Sequence, residues 1–159
     1  MPDELPASDG VHYQALLQLL RTSEAIWSAS RQFFEPWGLT PAQFNLLNLL
    51  SETGDGLTQS DLSRELLTHR SNITGLVDRL EARGLVQRRE QSGDRRAWRV
   101  VLTPDGRRQM HTLLPAYYRA AARLWDGISE QRAAKAADVL RAIAANAEAG
   151  AARVAEGSR

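Results

Sequence analysis

The 159-residue sequence has no cysteine. Disulfide frameworks, thiolate metal sites, cysteine nucleophiles and cysteine-based redox sensing are thereby excluded. Histidine is scarce, and His12, His69 and His111 stand far apart without H-E-x-x-H spacing, so no metal site is expected within one chain. There is no Gly-rich phosphate loop, nucleophile elbow or pair of catalytic carboxylates, and neither an enzyme nor a bound cofactor is expected. No apolar run approaches the roughly 18 residues of a membrane span. The acidic start MPDELPASDG lacks a basic segment followed by an apolar one. Together these absences predict a soluble, cytoplasmic protein with no membrane partner.

What is present fits one globular domain, since 43% hydrophobic and 25% charged residues lie in the ordinary range for a chain able to bury a core. The formal net charge of +1 conceals a segregation. Residues 1–56 carry two Arg against seven Asp and Glu, a net of −5, whereas 57–103 and 104–159 are each +3. Between 83 and 99, Arg83, Arg88, Arg89, Arg95, Arg96 and Arg99 face only Glu90 and Asp94. A patch of this density is the footprint of a surface that meets phosphate, although solvated surfaces carry Arg clusters too.

Apolar residues at three- and four-residue spacing predict a first helix from about Val11 to Phe34, ended by Pro36 and Gly38. Thr40 and Gln43 form a capping box around Pro41, with Leu39 placed to staple onto Phe44, and the helix they open stops near Thr53. Thr58 caps a short helix from Gln59 to about Leu67. Thr68 or His69 opens the next, through about Arg83, with Ile73, Leu76, Val77 and Leu80 in one stripe and Gly84 as its stop. Alternation then predicts a hairpin, Leu85–Arg89 and Trp98–Leu102, with a basic tip over 90–96. A long helix follows Thr103, carrying apolar residues as far as Trp125 and kinked at Pro115. Ser129 caps an alanine-rich last helix to about Ala149, before Gly150.

The expected fold is mainly α with a small β-hairpin wing: a winged helix-turn-helix over residues 39–103, flanked by long helices in 1–38 and 104–159. A helix has the diameter to enter a major groove about 12 Å wide, and a hairpin beside it can send Arg into the minor groove. The segment from Leu39 to Met110 resembles the MarR family of bacterial transcription regulators. LTPAQF, LTQSDLSREL, NITGLVDRLEARGLVQRR, the wing GDRR and the exit LTPDGR carry the resemblance, in order and spacing. It implies a homodimer, built through the flanking helices, that binds double-stranded DNA at a pseudo-palindromic operator. It further implies frequent repression and frequent release by a small aromatic or anionic ligand.

On the recognition helix the apolar stripe leaves Arg70, Ser71, Asn72, Thr74, Gly75, Asp78 and Arg79 outward. The same set reads more plainly as an ordinary solvated face. Short Ser71, Asn72, Thr74 and Gly75 let the backbone approach the groove floor, where Asn pairs with adenine and the Thr methyl meets thymine. Asp78 would repel phosphate, so it is expected to pair with Arg79, Arg83 or a wing residue. The family's Asp-x-Arg falls on Asp94 and Arg96, the carboxylate orienting the guanidinium, with Arg95 toward phosphate. The chain departs from the family at His69, where a small capping residue is common.

Aromatic residues in the flanking helices read first as core or dimer interface. The functional reading is a ligand pocket in which Trp27 stacks on an aromatic molecule while His12, Arg21 or His111 meets its charge. The other reading of the whole chain is a winged module whose wing Arg residues dock an acidic protein partner.

Overall fold

The computed structural model describes residues 10–66, 70–91 and 94–157. Helix α1 (Val11–Phe34) passes into a 3-10 turn at Glu35–Trp37, and Gly38 reverses the chain at φ 63°. Helix α2 (Pro41–Glu52) begins at the expected capping box: Thr40 Oγ1 accepts from the Gln43 N–H (3.2 Å) and Gln43 Oε1 from the Thr40 N–H (2.9 Å). Thr58 and Asp61 form a second box ahead of α3 (Gln59–Glu65). Helix α4 (Arg70–Ala82) is followed by Gly84 at φ 70°. Then come β2 (Val86–Gln91), β3 (Asp94–Leu102), α5 (Pro104–Arg123) and α6 (Glu130–Gly157).

The expected class holds: mostly helical, with a small antiparallel sheet. Four details differ from the sequence expectation. A two-residue strand β1 (Leu57–Thr58) pairs with Val100 and Arg99, giving the sheet order β1-β3-β2. Thr58 ends that strand and caps α3 at once, and the capping signal masks the strand. The hairpin strands are also longer than the alternation indicated, so Asp94, Arg95 and Arg96 belong to β3, beyond a register shift at Glu90/Gln91. Helix α5 ends at Arg123, short of Trp125. Finally, α6 runs through Gly150 to Gly157, because one glycine costs only about 1 kcal/mol in a stretch of strong helix formers.

The chain divides into two compact units at Leu113/Leu114. The first holds the core. Phe34 stacks on Phe44 with centroids 4.3 Å apart, and Leu46, Leu47, Leu62, Ile73, Leu80, Val100, Met110 and Leu113 are shut off from water. Helices α2, α3 and α4, the sheet and the first turns of α5 thus enclose one interior. Gly106 permits the docking of α5, since a Cβ there would lie 2.0 Å from the Leu85 carbonyl oxygen. The second unit consists of the rest of α5 and of α6, which opens with the Ser129 hydroxyl accepting from the Arg132 N–H (3.4 Å). Pro115 lies inside α5 and has no N–H to give the His111 carbonyl. Among the described residues no helix is long and apolar enough to cross a membrane.

Candidate nucleic-acid interface

Helix α4 is amphipathic by spacing. Ile73, Leu76, Val77 and Leu80 are buried, so Ser71, Asn72, Thr74, Asp78 and Arg79 are exposed and Gly75 is half-exposed on the opposite face. The exposed face is short-chained at its N-terminal end. Arg79 folds back over it, its Nη1 3.5 Å from where a β-carbon of residue 75 would stand. Thr74 Oγ1 donates to Gln59 Oε1 of α3 (3.0 Å), which ties the two helices and leaves the threonine methyl as the group best placed for an apolar contact. For Arg70, Asp94, Arg95 and Arg96 the backbone alone is described. Thr68 and His69, the alternative caps of α4, lie outside the described residues.

Two arginines secure α4. The Arg88 guanidinium on β2 pairs with both Asp78 and Glu81, and its backbone N–H donates to Glu81 Oε1 (3.0 Å). Asp78 therefore takes the wing residue among its three expected partners. Burial works against the Arg88 charge, but the Asp78 hydrogen bond and the two carboxylate charges outweigh it and hold the guanidinium above its ordinary pKa. At the other end of α4, Arg83 donates to the carbonyls of Gly38 (2.5 Å) and Trp37 (3.2 Å), and Gln109 of α5 donates to the same Trp37 oxygen (3.1 Å). The exposed face of α4 is thus held on a rigid support. At α3, the Thr58 hydroxyl and then Arg64 hold the Asp61 carboxyl below the usual carboxylate range.

The hairpin is basic on both faces. Arg88 turns toward α4, while Arg89 and Arg99 stand directly opposite each other in the β2–β3 register. Sequence reasoning missed Gln59 and Glu81. Glu81 was legible in part, as an acid one turn after Asp78 on the same side of a helix; Gln59 carried no signal beyond its place after a cap.

The expected ligand residues do not share one place. Trp27 lines a cavity of about 510 Å³ with Arg31, Gln32, Glu35, Leu39 and Thr40, whereas His12, Arg21 and His111 are exposed and outside that lining. His12 lies about 22 Å from Trp27 along α1 at 1.5 Å per residue, beyond the span of a small aromatic acid.

Two short helices on a closed core, the second with an exposed polar face, followed by a basic antiparallel wing, define a winged helix-turn-helix protein. The MarR family model matches residues 37–97. The transcriptional repressor MprA of Escherichia coli K12 is 34% identical over 84 residues, which cover 53% of this chain and 48% of MprA. The chain thus matches about half the length of that relative. The HTH-type transcriptional regulator PapX of E. coli is 30% identical over 72% of this chain and 71% of its own. Among solved structures, CouR from Rhodococcus jostii RHA1 bound to p-coumaroyl-CoA superposes with a TM-score of 0.75 at 30% identity, covering 88% of this chain and 96% of CouR. The chain belongs to the MarR family. Its relatives are named as transcriptional regulators, not enzymes.

Proposed function

We propose that this chain is a cytoplasmic, sequence-specific DNA-binding regulator, acting as a repressor and as a homodimer on a pseudo-palindromic operator. In this reading residues 39–103 bind DNA, and 1–38 and 104–159 supply the dimerisation helices. Arg70, Ser71, Asn72, Thr74, Gly75 and Arg79 meet the major groove. Arg96, oriented by Asp94, enters the minor groove, with Arg95 on phosphate. The observation that carries the reading is the exposed face of α4, short and polar at its N-terminal end and fixed to the wing through Arg88.

The second copy is the occupant proposed for the outer helices, since Leu16, Leu20, Ile26 and Trp27 of α1 and Val139, Leu140 and Ile143 of α6 are exposed. The ligand proposed is a small aromatic anion. Of the cavity residues, Trp27 would stack on its ring and Arg31 would meet its charge.

Selection from random duplex DNA, followed by titration of the selected site, tests this function. A recovered inverted repeat, bound with an affinity that falls roughly a thousandfold or more between 50 and 200 mM salt, is expected. Salt-dependent binding without preference among duplexes would favour an acidic protein partner and overturn it.

A further inference from the structure

Two arginines of the basic cluster, Arg89 and Arg99, are not used by the groove-reading elements. Val86, Val100 and Leu102 are buried under the helices and Arg88 pairs with α4, so alternation puts Gln87, Arg89, Arg99 and Val101 on the other face of the sheet. Arg89 and Arg99 are direct cross-strand neighbours, an arrangement that like charges disfavour. Beside them a cleft of about 400 Å³ is lined by both, by Arg107 from the first turns of α5, by Glu90, and by Gly54 and Asp55 of the turn after α2.

All three guanidinium groups are held by neutral acceptors. Arg99 donates to the Gly56 carbonyl (2.7 Å) and Arg107 to the Leu102 carbonyl (2.7 Å). The Gln87 amide, with its oxygen toward Arg89, accepts from Nε (2.7 Å) and Nη2 (2.6 Å). Among the described residues none of the three makes an ion pair, although Asp55 and Glu90 line the same cleft. A guanidinium has five N–H donors, so each retains some after these bonds, already oriented.

We infer that this cleft is a binding site for a small multivalent oxyanion, a phosphate ester or a polycarboxylate, held between Arg89, Arg99 and Arg107. Converging forks suit the paired oxygens of phosphate and carboxylate, and such an anion relieves the Arg89/Arg99 repulsion as it binds. The two carboxylates at the cleft favour a compact ligand. A run of duplex phosphates laid across the cleft would meet Asp55 and Glu90 as well, whereas a small anion settles among the guanidiniums alone. Gly56 sets the shape of the wall, because a Cβ there would stand 2.3 Å from the Val100 carbonyl oxygen and 2.4 Å from the Val101 side chain.

The test is calorimetric titration of the full chain with pyrophosphate and with citrate, at fixed ionic strength. One site per chain for one of the two is expected, and which of them binds separates the phosphate from the carboxylate source. Arg89→Gln, at an exposed position, should weaken that binding at least tenfold, and Asp55→Asn should tighten it. Binding unchanged in Arg89→Gln, or no binding of either anion, overturns the site. So does a loss of duplex affinity in Arg89→Gln that matches its loss of anion affinity, since the cleft would then be a nucleic-acid contact. An intact anion site in a chain that fails to select a DNA sequence would overturn the proposed function and leave this site standing.

Discussion

In α2 and α3 the leucines are closed off from water, Leu46, Leu47 and Leu62 each at 0% exposure, whereas Leu20 of α1 stands at 57% and Leu140 of α6 at 44%. All are apolar residues on amphipathic helices. The difference lies in what the chain supplies opposite them. The winged unit is covered by its own sheet and by its own α5, while the outer helices carry apolar surface that the described residues leave open. Burying such surface is worth about 25 cal/mol per Å². An amphipathic stripe therefore records that a partner surface exists, not whether it belongs to the same chain.

The comparison can be broken most severely at glycine. Gly56→Ala places a Cβ against the Val100 carbonyl at φ 72°. Overpacking and left-handed strain together should cost about 3 to 5 kcal/mol, read by denaturant unfolding. Next in size, Leu20→Glu with Leu140→Glu should leave the winged core folded and weaken self-association by at least a hundredfold, about 2.7 kcal/mol, measured by sedimentation. A double variant that remains as associated as the native chain would locate the interface elsewhere.

Smaller effects separate helix from wing. Asn72→Ala should cost about 1 to 3 kcal/mol on the selected site and much less on unrelated DNA. Arg96→Ala should weaken binding generally and reduce the preference for A·T-rich flanks. Asp94→Ala should reproduce part of that defect, and tighter binding instead would mean that the wing acts only through its charge. Gly150→Ala reverses the sign seen at Gly56. Its Cβ would meet nothing within 4 Å in the middle of α6, so thermal melts should show a gain of up to about 1 kcal/mol.

The smallest effect is one of pH. The Asp61 carboxyl is held below the usual carboxylate range, chiefly by the Thr58 hydroxyl. Its contribution to stability is present above the unfolded pKa and is lost as the pH falls through the lower folded one. Asp61→Asn should therefore lower stability slightly across the neutral region and flatten the acid limb, so that the two stability curves converge below about pH 4.

Local chemistry was legible in the sequence and long-range chemistry was not. Thr40 with Gln43 announced α2 because a capping box needs only four consecutive residues, and Ile73, Leu76, Val77 and Leu80 announced the buried face of α4 by period alone. Asp78 was expected to find a cation, and of its three expected partners the structure selects the wing. The Arg83 bonds to Trp37 and Gly38, and the assembly of Arg89, Arg99 and Arg107 around one cleft, join segments far apart in the chain that no periodicity connects. Gly150 misled for the opposite reason: a local stop signal was overridden by the helix propensity of its neighbours.

Strand β1 has a consequence in time as well as in space. The β2–β3 hairpin closes over a short connection, but Leu57 and Thr58 meet Val100 and Arg99 only after roughly forty intervening residues have been ordered. Two residues of ladder return little for that closure, so this pairing forms late in folding and opens early in the native state. Backbone amides of Leu57 and Thr58 should exchange with solvent well before those of the hairpin. Substitutions that weaken β1 should then speed unfolding while leaving the folding rate nearly untouched. The turn from Gly54 to Gly56 leads directly into this strand, so the same opening would carry one wall of the arginine cleft away from the others while the wing stayed folded.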